Sequence, residues 1–531
     1  MRRRVRVGVV VQTLGGIALA LAFSGSITSS GRTEVAAKPD QVRLETGVPF
    51  SAATVQALAK ELAGRAYRPP EPHSQSSSAT TYDAYRNIRF RPDRAIWRSE
   101  QLGFEIHPLP LGWLFKEAVE LYIVEDGAAH RVVATADMFA IGADANDAAR
   151  KNGAPAEPIE LSGFRINGPL NRRDKYDEII VFQGASYFRA VSRDQVYGTS
   201  ARGLAIDTAE PKGEEFPAFR KFWVEKPRPE ADEIVVHALL DSTSTTGAYR
   251  FLIRAGSTTV VKVDATLFPR VPLTHVGIAP LTSMHLLSPM WGDRVSDFRS
   301  AVHDSDGLAI DNGRGERIWR PLSNPRSLQI SAFLDQGLKG FGLMQRERAF
   351  AAYQDLEARY ERRPGVWIEP TTDWGVGNVI LVEIPTEEEI HDNVVAFWRP
   401  AAPLAPGSVY TFSYRLLWVD RTPNRANGPW VRQSRSGSAT APDRKAGKIR
   451  FVVDYVDTPQ PVPEPLPRAT VSVSRGAASP PVVEANTENG GVRVSFLLDP
   501  QGAESVELRL DVKDWSDRKP EVWLYRWTKN R

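Results

Sequence analysis

The stretch EIVVHALLDSTSTTGAYRFLIRAGSTTVVKVDATLF, residues 233–268, decides the fold. It divides into EIVVHALL at 233–240, AYRFLIRAG at 248–256 and TTVVKVDATLF at 258–268, runs rich in β-branched and aromatic residues. In the middle run Tyr249, Phe251 and Ile253 alternate with Arg250 and Arg254, the period of a strand with one buried and one wet face. Short polar links join the runs, and the helices that a parallel crossover needs are missing, so antiparallel meanders are expected. The same texture continues upstream in LGFEIHPL at 102–109, AVELYIVED at 118–126, HRVVATA at 130–136 and EIIVFQG at 178–184. Downstream it reaches PGSVYTFSYRLLWVD at 406–420. The expected fold class is all-β, with a large N-terminal antiparallel β-sandwich.

Two helical expectations interrupt the strands. Residues 49–70 place Val55, Leu58 and Leu62 on one face, with Ser51 or Thr54 to cap and Gly64 with Pro69 and Pro70 to stop, a helix expected to seal a sheet edge. In Gln345–Tyr360 the residues Phe350, Tyr353, Leu356 and Tyr360 recur at roughly helical spacing; Phe350 and Leu356 are expected in the core.

Beyond RTPNRANGP at 421–429 come five further strand-like runs: KIRFVVDYVD, ATVSVSRG, GVRVSFLLDP, SVELRLDVKD and EVWLYRWTKN. They predict a smaller C-terminal immunoglobulin-like sandwich without a disulfide, since the chain has no cysteine. The expected organisation is a signal peptide over 1–30, a sandwich domain over 38–419, a linker at 420–429 and a second sandwich over 430–531. The signal reading rests on Arg2, Arg3, Arg4 and Arg6 ahead of the apolar stretch 8–23, which is short for a membrane span. An uncleaved anchor is the alternative, and the export route stays open. With 67 basic and 64 acidic side chains the net charge is +3, and about −1 without those four arginines. No basic face is called for, so nucleic acid is not an expected partner.

Chemistry concentrates between 296 and 400. AVHDSDGLAIDNGRGERIWRPL at 301–322 and EIPTEEEIHDNVVAFWRP at 383–400 each set an aspartate beside a histidine, His303-Asp304 and His391-Asp392. Between them fall Trp319, Tyr353, Tyr360, Trp367 and Trp374. Two carboxylates and flat rings are what a sugar-cleaving cleft requires: an acid for the leaving oxygen, a base for water, and stacking for pyranose faces. Adjacent strand residues point opposite ways, so His303 and His391 are read as structural or substrate-contacting. Glu387–Glu389 read as a solvated run whose field would raise a neighbouring carboxyl's pKa, and Glu214-Glu215 as loop charges or substrate contacts. HExxH, GxSxG and Walker patterns are absent.

Four segments carry a resemblance: SARGLAIDTAEPKGEEFPAFRKFWVEKP at 200–227, FRSAVHDSDGLAIDNGRGERIWRPLSNP at 298–325, KGFGLMQRERAFAAYQDLEARYERRPGVWIEP at 339–370 and LVEIPTEEEIHDNVVAFW at 381–398. Over roughly residues 50–455 the chain resembles the periplasmic glucan biosynthesis G/D family. The resemblance implies a periplasmic protein of two β-rich domains, needed to make osmoregulated β-glucans. Its D branch resembles inverting hydrolases of β-1,2-glucan, whose acid position matches Asp392 and whose base position matches Asp304. Tyr360 is a candidate proton relay to that base. Trp319, Trp367, Trp374, His303 and His391 are candidate substrate contacts. The implied partner is a β-glucan chain, and no metal or organic cofactor is implied. The competing reading is a non-catalytic glucan-binding or assembly factor that works with an inner-membrane glucan synthase. The C-terminal sandwich could be a partner-binding module under either. Branch, glucan linkage, hydrolysis against transglycosylation, and oligomeric state stay open.

Overall fold

The computed structural model describes residues 43–70, 81–141, 158–290, 297–423, 428–438, 440–457, 462, 464–515 and 519–529. The expected signal peptide, and residues 424–427 of the expected linker, lie outside them. The three opening runs are consecutive antiparallel strands, Glu233–Asp241, Thr245–Arg254 and Thr259–Pro269, with Phe251 opposite Val236 and Val263. Tyr249, Phe251 and Ile253 are buried, whereas Arg254 is exposed, as the alternation requires.

These strands lie in the middle of a sheet of sixteen strands among the described residues. It faces a second sheet of ten, which runs from Gln329–Gln336 through Val376–Glu383, Val394–Pro400, Val276–Ser283, Ser200–Arg202 and Tyr187–Ala190 to Glu105–Pro110. Phenylalanines interlock the two inner faces. The centroids of Phe164 and Phe222 are 5.1 Å apart, those of Phe182 and Phe251 5.2 Å, and those of Phe188 and Phe251 5.3 Å. Edge-to-face pairs of this kind add to the area they bury. The fold class is therefore all-β, built of sandwiches.

The helix Ala52–Ala63 forms with Ser51 as its N-cap residue, and buries Val55 and Ala59 against Leu239, Ala248 and Phe268. It covers the outer face of the central meander and not a sheet edge, because those strands left an apolar face for it. Thr246 Oγ1 fixes it by donating 2.7 Å to the Ala59 carbonyl.

At the C-terminal end, Trp430–Gly437, Ile449–Val456 and Gly491–Asp499 carry a five-stranded sheet. The strands Arg468–Val473, Ser505–Lys513 and Val522–Thr528 instead extend the sixteen-stranded sheet. That continuity comes from a parallel pairing of Val522–Thr528 with Arg317–Pro321, which sets Trp523 beside Trp319. Just outside it Arg346 forks onto Glu521 at 2.7 and 2.9 Å, and Glu521 Oε2 also accepts 2.8 Å from the Val431 amide. Both charged side chains are 6% exposed, so removing one partner costs about 3–5 kcal/mol.

We propose that residues 420–429 join two domains held together by this buried junction. Cutting the chain at a protease site inserted between 423 and 428 is expected to leave the halves co-eluting on gel filtration. Glu521→Ala should release them, and separation of the unsubstituted halves would refute the junction's role.

Candidate active site

Strand alternation aims Phe188 of Tyr187–Ala190 into the core and therefore Tyr187 and Arg189 to the outer face of the ten-stranded sheet. Arg202 stands opposite Tyr187, and Ser200 opposite Thr282. The strand Val394–Pro400 follows, entered directly from Asp392 and Asn393. Asn393 is the local organiser. Its amide donates 3.0 Å to the Ser283 carbonyl, its Oδ1 accepts 2.7 Å from the His285 amide, and its Nδ2 donates 3.1 Å to the His285 carbonyl. The Asp304 amide donates 2.8 Å to the Met284 carbonyl. One short segment, 283–285, thus fixes the backbone beside both aspartates.

The carboxyls differ in their surroundings. Asp392 is 7% exposed, with Arg189 Nη2 3.4 Å from its Oδ2. Burial pushes its pKa up to about 6; Arg189 opposes the shift and the charge of Asp304 adds to it. Asp304 is 2% exposed and accepts directly from the buried guanidinium of Arg363. That guanidinium also lies 4.3 Å over the ring of Tyr360. The Tyr360 hydroxyl, raised in pKa chiefly by burial, donates 3.2 Å to Glu389 Oε2. Asp392, Asp304 and Tyr360, far apart in sequence, therefore meet around Arg363.

Most of the expected substrate contacts lie elsewhere. His303 is 2% exposed, stacks on His285 with centroids 5.1 Å apart, and sits with Nδ1 2.9 Å from Gln345 Oε1. Burial and His285 hold its pKa well below the usual imidazole range, so it is a neutral core group. Trp319 and Trp367 are buried in the cluster beneath the C-terminal sandwich, and Trp374 packs beside Trp398 and Tyr414. A ring without a free face cannot stack on a sugar, so all three tryptophans are core residues and not platforms. Gly307 shows why: a Cβ there would come within 2.2 Å of the Trp319 ring. Only His391 of the five is half-exposed, 3.7 Å from Glu388.

Three further expectations change. Glu214 accepts from Arg202 at 2.6 Å and Thr208 at 2.7 Å, and Glu215 from Ser244, so both are satisfied within the fold. Glu389 belongs to the site and not to a solvated run; burial, and not the glutamate run, raises Asp392 most. The 345–360 segment holds a single helical turn, Phe350–Tyr353, and Gln354 and Arg359 then turn the chain at φ 53° and 48°. Phe350 and Leu356 are exposed, while Tyr353 and Tyr360 are the buried members. Sequence reasoning missed the braces Arg189 and Arg363, because nothing in one sequence distinguishes them from the other arginines.

The class these features define is a β-sandwich protein with two buried aspartates, each beside an arginine. Residues 50–527 match the family described as "Periplasmic glucan biosynthesis protein, MdoG", and the chain belongs to that family. It is 48% identical over 493 residues to "Glucans biosynthesis protein G" of Shewanella sp. (strain W3-18-1), covering 93% of this chain and 89% of that one. It is 47% identical over 497 residues to "Glucans biosynthesis protein G 1" of Shewanella oneidensis, covering 93% and 90%. To "Glucans biosynthesis protein G" of Vibrio cholerae it is 48% identical over 490 residues, covering 92% and 88%.

The environment of Asp392 has a consequence for stability. Its folded pKa, about 6, lies above the ordinary 3.8, so folding favours the protonated form, and stability is lost as pH rises from about 4 through 6. The ionised group then costs up to about 3 kcal/mol. Asp392→Asn is expected to be more stable than the parent by up to that amount in urea melts at pH 8, and to gain nothing at pH 4. Equal gains at both pH values would show that Asp392 carries no such penalty.

Proposed function

We propose that this protein acts in periplasmic glucan biosynthesis, and that it cleaves or transfers linear β-1,2-glucan with inversion at the aspartate pair. The observation that carries the reading is the asymmetry between two neighbouring buried carboxyls. Burial keeps a proton on Asp392 to about pH 6, which suits an acid that must deliver one to a leaving oxygen. Asp304 is held by Arg363, which fixes the direction of the carboxyl proposed as base. The Tyr360 ring lies on the Arg363 guanidinium and its hydroxyl donates to Glu389 Oε2, so a proton relay from Tyr360 to Asp304 would run through a bridging water or sugar hydroxyl. The family description and the relatives' printed names support the glucan and the periplasmic setting.

A second reading draws on near-closure of the pair, at 2% and 7% exposure: the face binds a nascent chain for a membrane synthase without cutting it. Incubation with linear β-1,2-glucan, followed by chromatography and NMR of the anomeric proton, separates the two. Shorter products of inverted configuration are expected, with Asp392→Asn and Asp304→Asn each lowering turnover about 10²–10⁴-fold while glucan binding persists. Turnover retained in both variants would sink the catalytic reading, and binding without products would favour the assembly role.

A further inference from the structure

We propose that Arg299 is a positioning residue, a latch that ties the loop carrying Asp392 to the segment carrying Tyr360. This inference rests on the catalytic reading of the aspartate pair. One guanidinium joins three segments that are distant in sequence. Nε and Nη2 hold Asp297 at 3.0 and 2.8 Å, Nη1 holds Asp355 Oδ2 at 2.7 Å, and Nη2 holds Glu389 Oε2 at 2.8 Å. Arg299, Asp297 and Asp355 are only 12–13% exposed, so the bonds among them are poorly screened by water, and Glu389 is the more open arm at 37%.

Two of the three arms reach something the proposed chemistry uses. Glu389 Oε2 is also the acceptor of the Tyr360 hydroxyl, so a single oxygen links arginine, tyrosine and the acid's loop. Asp355 Oδ1 accepts 3.0 and 2.7 Å from the amides of Glu357 and Ala358, which shapes the turn that delivers Tyr360. The far end of the loop is tied independently, where Asn324 and Thr386 exchange bonds of 3.0 and 2.9 Å. On the N-terminal side of Asp392 the Glu389 contact to Arg299 is therefore the loop's nearest side-chain tie, while Asn393 anchors the C-terminal side. Three carboxylates around one cation repel each other once that cation is gone, so without Arg299 the loop is expected to lift and admit water to Asp392. The charged and titratable groups facing Asp392 are Arg189 and Tyr187 from one strand, with Asp304 and Arg363; its own loop carries Glu388, Glu389 and His391.

The test uses Arg299→Met, Arg299→Lys and, as a milder break at a partly exposed position, Glu389→Gln. Two measurements are made: the pH profile of turnover on linear β-1,2-glucan, and the rate of proteolysis within residues 385–391. In the parent, turnover should fall as pH rises through about 6, where Asp392 loses its proton. Arg299→Met should lower kcat about 10–100-fold with little change in KM. It should also move that limb to lower pH, towards the ordinary carboxylate range, and speed cleavage of the loop. Arg299→Lys should recover part of each effect, and Glu389→Gln should reproduce the shift. A parent-like pH profile and parent-like loop cleavage in both Arg299→Met and Glu389→Gln overturn the latch. Asp392→Asn that retains turnover, with loop loosening still seen in Arg299→Met, overturns the catalytic reading and leaves the latch standing.

Discussion

Charge that has been taken out of water must be met by opposite charge, and on the outer face of the ten-stranded sheet that demand is answered by arginines one pair at a time. Arg165 meets Glu178 at 3.3 Å, Arg202 meets Glu214 at 2.6 Å, and Arg363 and Arg189 meet the two aspartates, while between the sheets Arg320 meets Glu383 at 3.1 Å. Buried pairs of this kind are close to neutral in net stability, because desolvation consumes most of the attraction. What they do supply is geometry. Arginine donates in a fixed plane, so each pair sets the direction of a carboxylate as well as its charge. At Asp392 burial outweighs the Arg189 contact, at 3.4 Å, and pushes the carboxyl's pKa up to about 6.

The strand plan was legible because its signal is local. Tyr249, Phe251 and Ile253 alternate in the sequence as they do in the sheet, and glycines, prolines and polar links mark the turns. The aspartate pair was legible only through family resemblance, since spacing cannot say that residues 304 and 392 meet. What failed was whatever depends on the third dimension. Trp319, Trp367 and Trp374 look in sequence like a sugar platform, yet the junction of two sandwiches needs the first two and the main core the third just as much. The spacing of Phe350, Tyr353, Leu356 and Tyr360 fits a helix, but left-handed Gln354 and Arg359 break it and leave the tyrosines inside. The arginine braces carry no local mark at all.

The C-terminal sandwich and the aspartate pair share four residues, and this is where the two halves of the molecule become one device. In Asp304-Ser305-Asp306-Gly307 each position answers to a different neighbour. Asp304 turns to Arg363 in the site. Ser305 Oγ joins Thr199 and Ser283 at 2.9 Å each, behind the strand that carries Ser200. Asp306 Oδ2 accepts 3.0 Å from the amide of Arg346, whose side chain is the one that reaches Glu521. Gly307 leaves the space that the Trp319 ring fills, and Trp319 pairs with Trp523 across the junction. A shift in how the C-terminal sandwich docks therefore has a short path to the proposed base, by packing of Trp319 on Gly307 and the Arg346–Asp306 hydrogen bond and then along the backbone to Asp304. This path gives the C-terminal sandwich a reason to be present that does not require it to touch a glucan: it holds the far end of the motif whose near end carries the proposed base.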